Sequence, residues 1–292
     1  MHHDDSSQVP RRRSKLALAG AALVPAALAG WLVWAVTSGP ARSLPPEARP
    51  APGPSGAPLA SPVTPAPPAP LAGKTVVIDP GHNPGNFEHP HEINQSVNIG
   101  TNRKECDTTG TSTNSGYTEA AFTLDVSHRL RTLLRQQGAT VVLTQDADRP
   151  YGPCIDERAR IGNAAKADAV VSVHADGSGT GNRGFHVILP ALVKGGTADT
   201  TSIVGPSRAL GERVAREFAL ATGTAPANYI GGGTGLDVRK DLGGLNLSTV
   251  PKVFVECGNM RDPKDAALLT DTAWRQKAAR GIAAGVSTYL RD

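Results

Sequence analysis

Two histidines and two glutamates in this sequence could together carry out metal-dependent hydrolysis. A catalytic zinc ion usually takes three protein ligands from His, Asp and Glu and leaves one position open for water. His82, Glu119 and His174 provide such a set. Hydrolysis also needs a carboxylate that does not bind the metal, because the proton of the attacking water must be carried to the leaving group. Glu256 is the candidate, since it directly follows the apolar residues 253–255, where a charge is costly to bury without a function.

Other histidines and structural explanations compete with this assignment. A histidine after a strand often makes only a structural hydrogen bond, and a glutamate near a helix N-terminus can simply complement the helix dipole. His89 and His91 lie in a polar segment with no strand to support them. His186 is predicted within a strand, where a histidine with satisfied hydrogen bonds is more common than a ligand. We therefore set these three aside as ligands.

Strands and helices alternate along residues 73–292, and this alternation predicts how the four side chains are positioned. Runs rich in β-branched residues predict strands at 75–79, 140–144, 169–173, 184–189 and 253–255. Apolar residues at helical spacing predict helices at 118–136, 158–165, 207–222 and 272–290. The pattern predicts an α/β fold with a mainly parallel, twisted sheet, helices on both faces and a single catalytic domain.

The predicted sheet places the candidate residues at one edge. Ligands of such sheets bind beyond the carboxyl ends of the strands. His82 follows the first predicted strand, while His174 and Glu256 end two later ones. Glu119 opens the helix that begins beside the same edge. We therefore expect all four side chains to meet there.

The composition of the first 72 residues predicts an export signal or membrane anchor and a linker rather than a folded domain. Residues 11–15 are Arg-Arg-Arg-Ser-Lys, and the uncharged residues 16–36 after them are long enough to span a bilayer. Either a cleaved signal peptide or an uncleaved membrane anchor fits residues 1–39. Residues 40–72 are mainly Pro, Ala, Gly and Ser, a composition typical of an extended linker. The protein is expected outside the cytoplasm, secreted, periplasmic or anchored to the membrane.

The charge distribution argues against nucleic acid as a partner. The net charge is +4, and residues 1–40 contain four basic and two acidic residues, so the remainder carries about +2. No basic block occurs there, although proteins that bind nucleic acid need one. We expect a monomer that binds no nucleic acid.

Three cysteines leave a choice between a disulfide and free thiols. Export permits a disulfide. Cys106 and Cys154 lie in polar loops, and we predict that they pair. Cys257 is predicted to pack as a small apolar side chain on the sheet face opposite Glu256. The alternatives are three free thiols or a nucleophilic Cys257, for which no partner His or Asn can be assigned.

The sequence resembles the zinc-dependent N-acetylmuramoyl-L-alanine amidases of the amidase type 3 family over nearly all of residues 73–292. The likeness rests on Glu119 opening a helix and on four stretches in the family's order: 77–82 (Val-Ile-Asp-Pro-Gly-His), 158–163 (Arg-Ala-Arg-Ile-Gly-Asn), 167–176 and 250–259. The resemblance implies zinc on His82, Glu119 and His174, with Glu256 as general base and acid. It also implies cleavage of the amide between N-acetylmuramic acid and L-alanine in peptidoglycan or muropeptides.

Two alternative functions and one departure from the family accompany this resemblance. A zinc carboxypeptidase or endopeptidase acting on the stem peptide would use the same metal chemistry, and a non-catalytic wall-binding domain could share the fold. The segment between His174 and Gly184 is too short for the blocking helix that some members of the family carry. We therefore expect an enzyme that is not inhibited in that way.

Overall fold

A computed structural model describes residues 69–292. The strands of this part of the chain are β1 (Thr75–Pro80), β2 (Ser96–Asn98), β3 (Arg103–Glu105), β4 (Thr140–Leu143), β5 (Ala169–Asp176), β6 (His186–Pro190), β7 (Lys194–Gly195), β8 (Ala198–Asp199), β9 (Leu236–Arg239) and β10 (Lys252–Asn259). Its α-helices are α1 (Pro90–Ile93), α2 (Glu119–Gln136), α3 (Ile155–Ala164), α4 (Val204–Thr222), α5 (Gly243–Asn246), α6 (Pro263–Thr270) and α7 (Thr272–Arg291).

Six of these strands form one sheet in the order β4-β1-β5-β10-β6-β9. β1 pairs in parallel with β4 and β5, and β10 pairs in parallel with β5. β6 is antiparallel to β10, while β9 is parallel to β6. Parallel strands require crossover connections: α2 lies in the one from β1 to β4, and α3 in the one from β4 over β1 to β5. The predicted α/β fold with a mainly parallel sheet is confirmed.

Alternate residues of the central strands enter two different layers. Val76, Ile78 and Val255 belong to the large core beneath α2, α4 and α7. Val77 and Val170 face the other way and pack in a smaller cluster that includes residues of α3. Because side chains alternate along a strand, residues 79, 172, 174 and 256 also project toward the α3 side. The smaller layer is therefore the one that can hold a site.

The predicted main elements all occur, with shifts at their ends. β5 and β10 run to Asp176 and Asn259, beyond the predicted ends at 173 and 255, so His174 and Glu256 lie within strands. Helix α2 begins where predicted, because the Thr118 hydroxyl accepts a hydrogen bond from the Ala121 N–H. The prediction missed β9 at the edge of the sheet, and it missed α6, although Asp262 as N-cap followed by proline is a typical helix start.

The disulfide between Cys106 and Cys154 is confirmed. It links the segment after β3 to the N-terminus of α3, across 48 residues of sequence. Cys257 is a free, fully buried cysteine of the large core, on the opposite sheet face from Glu256, as predicted.

The N-terminal predictions lie mostly outside the described residues. The export signal or anchor assigned to residues 1–39 and the spacer as far as residue 68 belong to that part of the chain. Leu71, which the sequence assigns to the spacer, is fully buried in the large core, and its N–H bonds the carbonyl of Gln137. Within residues 69–292, the structure has no helix with the length and apolar character needed to span a membrane.

Candidate metal centre

The three predicted ligands come together at the carboxyl ends of β1 and β5. One ligand atom from each of His82, Glu119 and His174 lies within 4.8 Å of the others. Nε2 of His82 is 3.2 Å from Oε1 of Glu119, and Nδ1 of His174 is 3.0 Å from the same oxygen. The other candidates, His89, His91 and His186, are not part of this group.

Backbone groups hold the carboxylate between the two imidazoles. Glu119 is the first residue of α2, where unpaired N–H groups favour a negative charge. Its Oε2 accepts a hydrogen bond from the Thr111 N–H at 2.9 Å, and its Oε1 accepts one from the Ala175 N–H at 3.2 Å. The carboxylate is thus fixed by segments on both sides.

The histidine orientations suit metal binding. The Thr108 carbonyl, 3.0 Å from Nδ1 of His82, can only accept a hydrogen bond, so this nitrogen carries the proton. Nε2 is then the ring nitrogen left to bind a metal, and it faces Glu119. The ring of His174 stacks on Phe254, with centroids 5.2 Å apart. A metal-binding histidine typically donates a hydrogen bond from the ring nitrogen that does not bind the metal, as Nδ1 of His82 does here.

The donor set and the electrostatics both fit a divalent cation. Two imidazoles and one carboxylate form a common ligand set for catalytic zinc. Burial lowers the pKa of His82, but the carboxylates of Glu119 and Asp107 outweigh it and raise that pKa to about 10. Burial raises the pKa of Glu119, yet the two histidines hold it well below its ordinary value. The cluster therefore attracts positive charge.

Glu256 lies in the same cleft, as predicted. It is opposite His174 in the parallel pairing of β5 with β10, and it lines a hollow of about 250 Å³ together with the three candidate ligands. Burial, reinforced by the charges of Glu119 and Asp176, raises the pKa of Glu256 well above its ordinary value. Its Oε2 is buried without a hydrogen-bond partner. A carboxyl group with a raised pKa can both accept and return a proton near neutral pH.

A buried ion network beneath the centre was missed by the sequence reasoning. Arg158 bonds Asp79 and Asp107, each at 2.9 Å, and Lys252 Nζ lies 3.0 Å from Asp79. Asp107 Oδ1 in turn lies 3.7 Å from Nδ1 of His82. The network therefore connects Asp79 of β1 to the candidate ligand His82. Its signal in the sequence was the presence of Asp79 and Lys252 in otherwise apolar strands.

The rival histidines occupy different surroundings. His89 packs beside Tyr151, with ring centroids 5.0 Å apart. His186 is buried in β6, as predicted, but its Nδ1 has no hydrogen-bond partner. The prediction of a satisfied histidine is therefore wrong at this atom.

Known proteins are similar to this chain in both sequence and fold. The family model for N-acetylmuramoyl-L-alanine amidase matches residues 76–288. An N-acetylmuramoyl-L-alanine amidase of Mycobacterium tuberculosis (strain ATCC 25618 / H37Rv) is 42% identical over 224 residues, which cover 76% of this chain and 89% of the relative.

Two solved structures of mycobacterial N-acetylmuramyl-L-alanine amidases match as well. The Ami1 structure from Mycobacterium smegmatis has a TM-score of 0.70 at 38% identity and covers 75% of this chain and 98% of its own. Ami1 from Mycobacterium abscessus has a TM-score of 0.68 at 40% identity, covering 75% of this chain and 100% of its own. The chain belongs to the N-acetylmuramoyl-L-alanine amidase family.

Proposed function

We propose that this chain hydrolyses the amide bond between N-acetylmuramic acid and L-alanine in peptidoglycan or muropeptides, using one zinc ion held by His82, Glu119 and His174. The observation that carries the proposal is the meeting of these three ligand atoms within 4.8 Å, in a cleft that also contains Glu256. Membership of the family supports the choice of bond.

The residues of the cleft have separate tasks in this reaction. When bound, zinc supplies a Lewis acid that lowers the pKa of water and polarises a carbonyl group. Glu256 accepts a proton from the water as the water oxygen attacks the amide carbon. As the C–N bond breaks, Glu256 returns that proton to the nitrogen of L-alanine. The products are a lactyl carboxylate on the sugar and a peptide with a free amine.

We also propose where the reaction takes place. Peptidoglycan lies outside the cytoplasmic membrane, and the basic and apolar segments of residues 1–39 are suited to bring the enzyme there. Residues 40–72 would then be the spacer before the catalytic domain, either anchored or released. The proposed active form is a monomer.

Glu256→Ala tests the mechanism. We expect kcat to fall by about 10²–10⁴-fold, because the proton carrier is lost, while zinc stays bound at one ion per chain. The measurements are elemental analysis for zinc and mass spectrometry of digested muropeptides. Glu157→Ala is the control, since Glu157 forms a surface ion pair with Arg149.

The products decide between the amidase and its alternatives. Wild-type enzyme should release peptides that begin with a free L-alanine amine and leave glycans that retain the lactyl group. Cleavage within the stem peptide would instead identify a carboxypeptidase or endopeptidase. Full activity of the Glu256→Ala enzyme would disprove the assigned role of Glu256.

A further inference from the structure

His186 has a buried ring nitrogen with no partner, and this histidine is not used in the mechanism above. The residue is 2% exposed, and Nδ1 makes no hydrogen bond. Buried polar atoms in native proteins are nearly always hydrogen-bonded, so an exception indicates a function or an ordered water. The question is which group this nitrogen serves.

Strand pairing places His186 beside Glu256. The two residues are direct partners in the antiparallel pairing of β6 with β10, while His174 is the partner of Glu256 on the other side. Directly opposed residues project from the same sheet face with Cβ atoms about 4.5–5.5 Å apart. The neighbouring Val187 and Val255 point into the large core. His186 therefore projects from the face that carries the metal centre.

The unpartnered atoms of the two side chains are complementary. Oε2 of Glu256 is also buried without a partner. A carboxylate oxygen accepts a hydrogen bond, and an imidazole nitrogen that carries a proton donates one. The two atoms do not bond directly. A water that accepts from the ring N–H and donates to the carboxylate is the usual link between two such groups.

The His186 ring is held in a defined orientation. It lies edge-to-face with Tyr229, with centroids 6.2 Å apart and planes at 88°. The Tyr229 hydroxyl is itself fixed, because it donates a hydrogen bond to Oδ2 of Asp176 at 2.7 Å. Burial lowers the pKa of His186, which keeps the imidazole neutral near pH 7. A neutral, oriented ring can present Nδ1–H toward β10.

We propose that His186 is a positioning residue for Glu256: its Nδ1–H donates to Oε2, directly or through one water, and so directs the other carboxylate oxygen toward the metal ligands. This inference rests on the proposed function. Loss of the donor lets the carboxylate rotate away from the path of the proton. The proton transfer then slows, while zinc and substrate still bind.

Three substitutions of His186 test whether an N–H donor is needed at this position and whether it must lie at the δ position of the side chain. His186→Asn keeps an N–H donor at the δ position, His186→Gln moves it to the ε position, and His186→Leu removes it. We expect kcat to fall about 10- to 100-fold for the Gln and Leu variants. The Asn variant should keep kcat within about threefold of wild type. In all three, KM should change by less than about twofold and zinc content should stay at one per chain, since His186 is buried and is not one of the three candidate ligands.

His128→Asn is the matched control, because His128 is an exposed histidine that pairs with Asp146 on the surface. It should keep wild-type kcat. Should the Leu variant fail to fold, the comparison between Asn and Gln still decides, because both are polar.

Four results would overturn the inference. They are an unchanged kcat in the Leu variant, an Asn variant as slow as Gln, loss of zinc from any of the three, and an equal fall of kcat in Asp237→Asn. The last would identify Asp237, whose Oδ2 is also buried and unpartnered, as the true partner of His186. Wild-type enzyme that releases no L-alanine amine would instead disprove the proposed function, so the two failures are distinct.

Discussion

Gly110 leaves space for two candidate ligands at the candidate metal centre. A Cβ atom at this position would lie 2.7 Å from Cδ2 of His82 and 2.8 Å from Oε2 of Glu119. Both distances are shorter than unbonded atoms tolerate. A side chain at position 110 would therefore push the two candidate ligands apart.

Gly110→Ala is accordingly expected to weaken zinc binding by about 10- to 100-fold, as changes next to metal ligands typically do. Competition with a chelating dye measures the affinity. Gly116→Ala is the control, because its φ of +92° resembles the +73° of Gly110 while nothing lies within 4 Å of the added Cβ. Equal losses in both variants would attribute the effect to backbone strain rather than to contact with the ligands.

Asp79 makes stability depend on pH. Burial raises the pKa of Asp79, but Lys252 and Arg158 outweigh it and hold that pKa well below its ordinary value. A carboxylate with a folded pKa below its unfolded pKa stabilises the protein above the unfolded value, and this contribution is lost as the pH falls toward the folded value. The ion pairs that Asp79 forms with Lys252 and Arg158 are therefore weakest in acid.

We expect the free energy of unfolding to decrease from about pH 5 to about pH 2, and urea denaturation across that range measures it. Asp79→Asn should be less stable at pH 7 and should show a shallower decrease in acid. An equally steep decrease in this variant would mean that other carboxylates, and not Asp79, cause the acid sensitivity.

At the scale of elements, the disulfide holds the segment just after β3 against the start of α3, beside the candidate metal centre. The Ile155 N–H bonds the Cys106 carbonyl at 2.7 Å, so the covalent link is reinforced by the start of α3. The next residue in sequence, Asp107, reaches both Arg158 and His82. The bridge thus supports the candidate ligand His82 through the carboxylate of Asp107.

Removal of the disulfide by Cys106→Ala together with Cys154→Ala is expected to lower the free energy of unfolding by about 4 kcal/mol at most, from the entropy of a loop of this length. Hydrogen exchange should speed up in residues 83–117 and stay unchanged in α4 and α7. A reducing agent should affect wild type and not the double variant. Thiol counting on native protein should find one free cysteine; three would contradict the bridge.

At the scale of the whole molecule, the packed core includes a residue that precedes β1. Leu71 is fully buried against the large core, and its N–H is bonded to Gln137. The domain start at residue 73 stays a prediction from composition. The contacts of Leu71 show that the packed part extends at least two residues further.

Two shortened chains test this boundary. A chain of residues 69–292 should keep wild-type stability, whereas one of residues 73–292 should lose about 2–5 kcal/mol, the usual effect of removing a buried leucine. Urea denaturation compares them. Within the longer chain, Leu71→Ala should reproduce much of the loss, and Pro70→Ala, at an exposed position, should not. Equal stability of both chains would show that Leu71 contributes little.

The sequence alone determined the features that depend on near neighbours in the chain. Apolar periodicity defined β1, β5, α2 and α7, because each strand or helix must turn one set of side chains inward. The capping residue Thr118 fixed the start of α2 and thereby the position of Glu119. The predicted approach of His82, Glu119 and His174 followed from where strands of this fold end.

Only the tertiary structure decided which distant groups meet. Arg158 bonds Asp79 and Asp107, which are separated from it by 79 and 51 residues of sequence. Lys252 bonds Asp79 across 173 residues. The antiparallel pairing of β6 with β10 placed His186 opposite Glu256. These contacts depend on strand order and on which element covers which face. Local patterns do not encode either, because both arise from the packing of the whole chain.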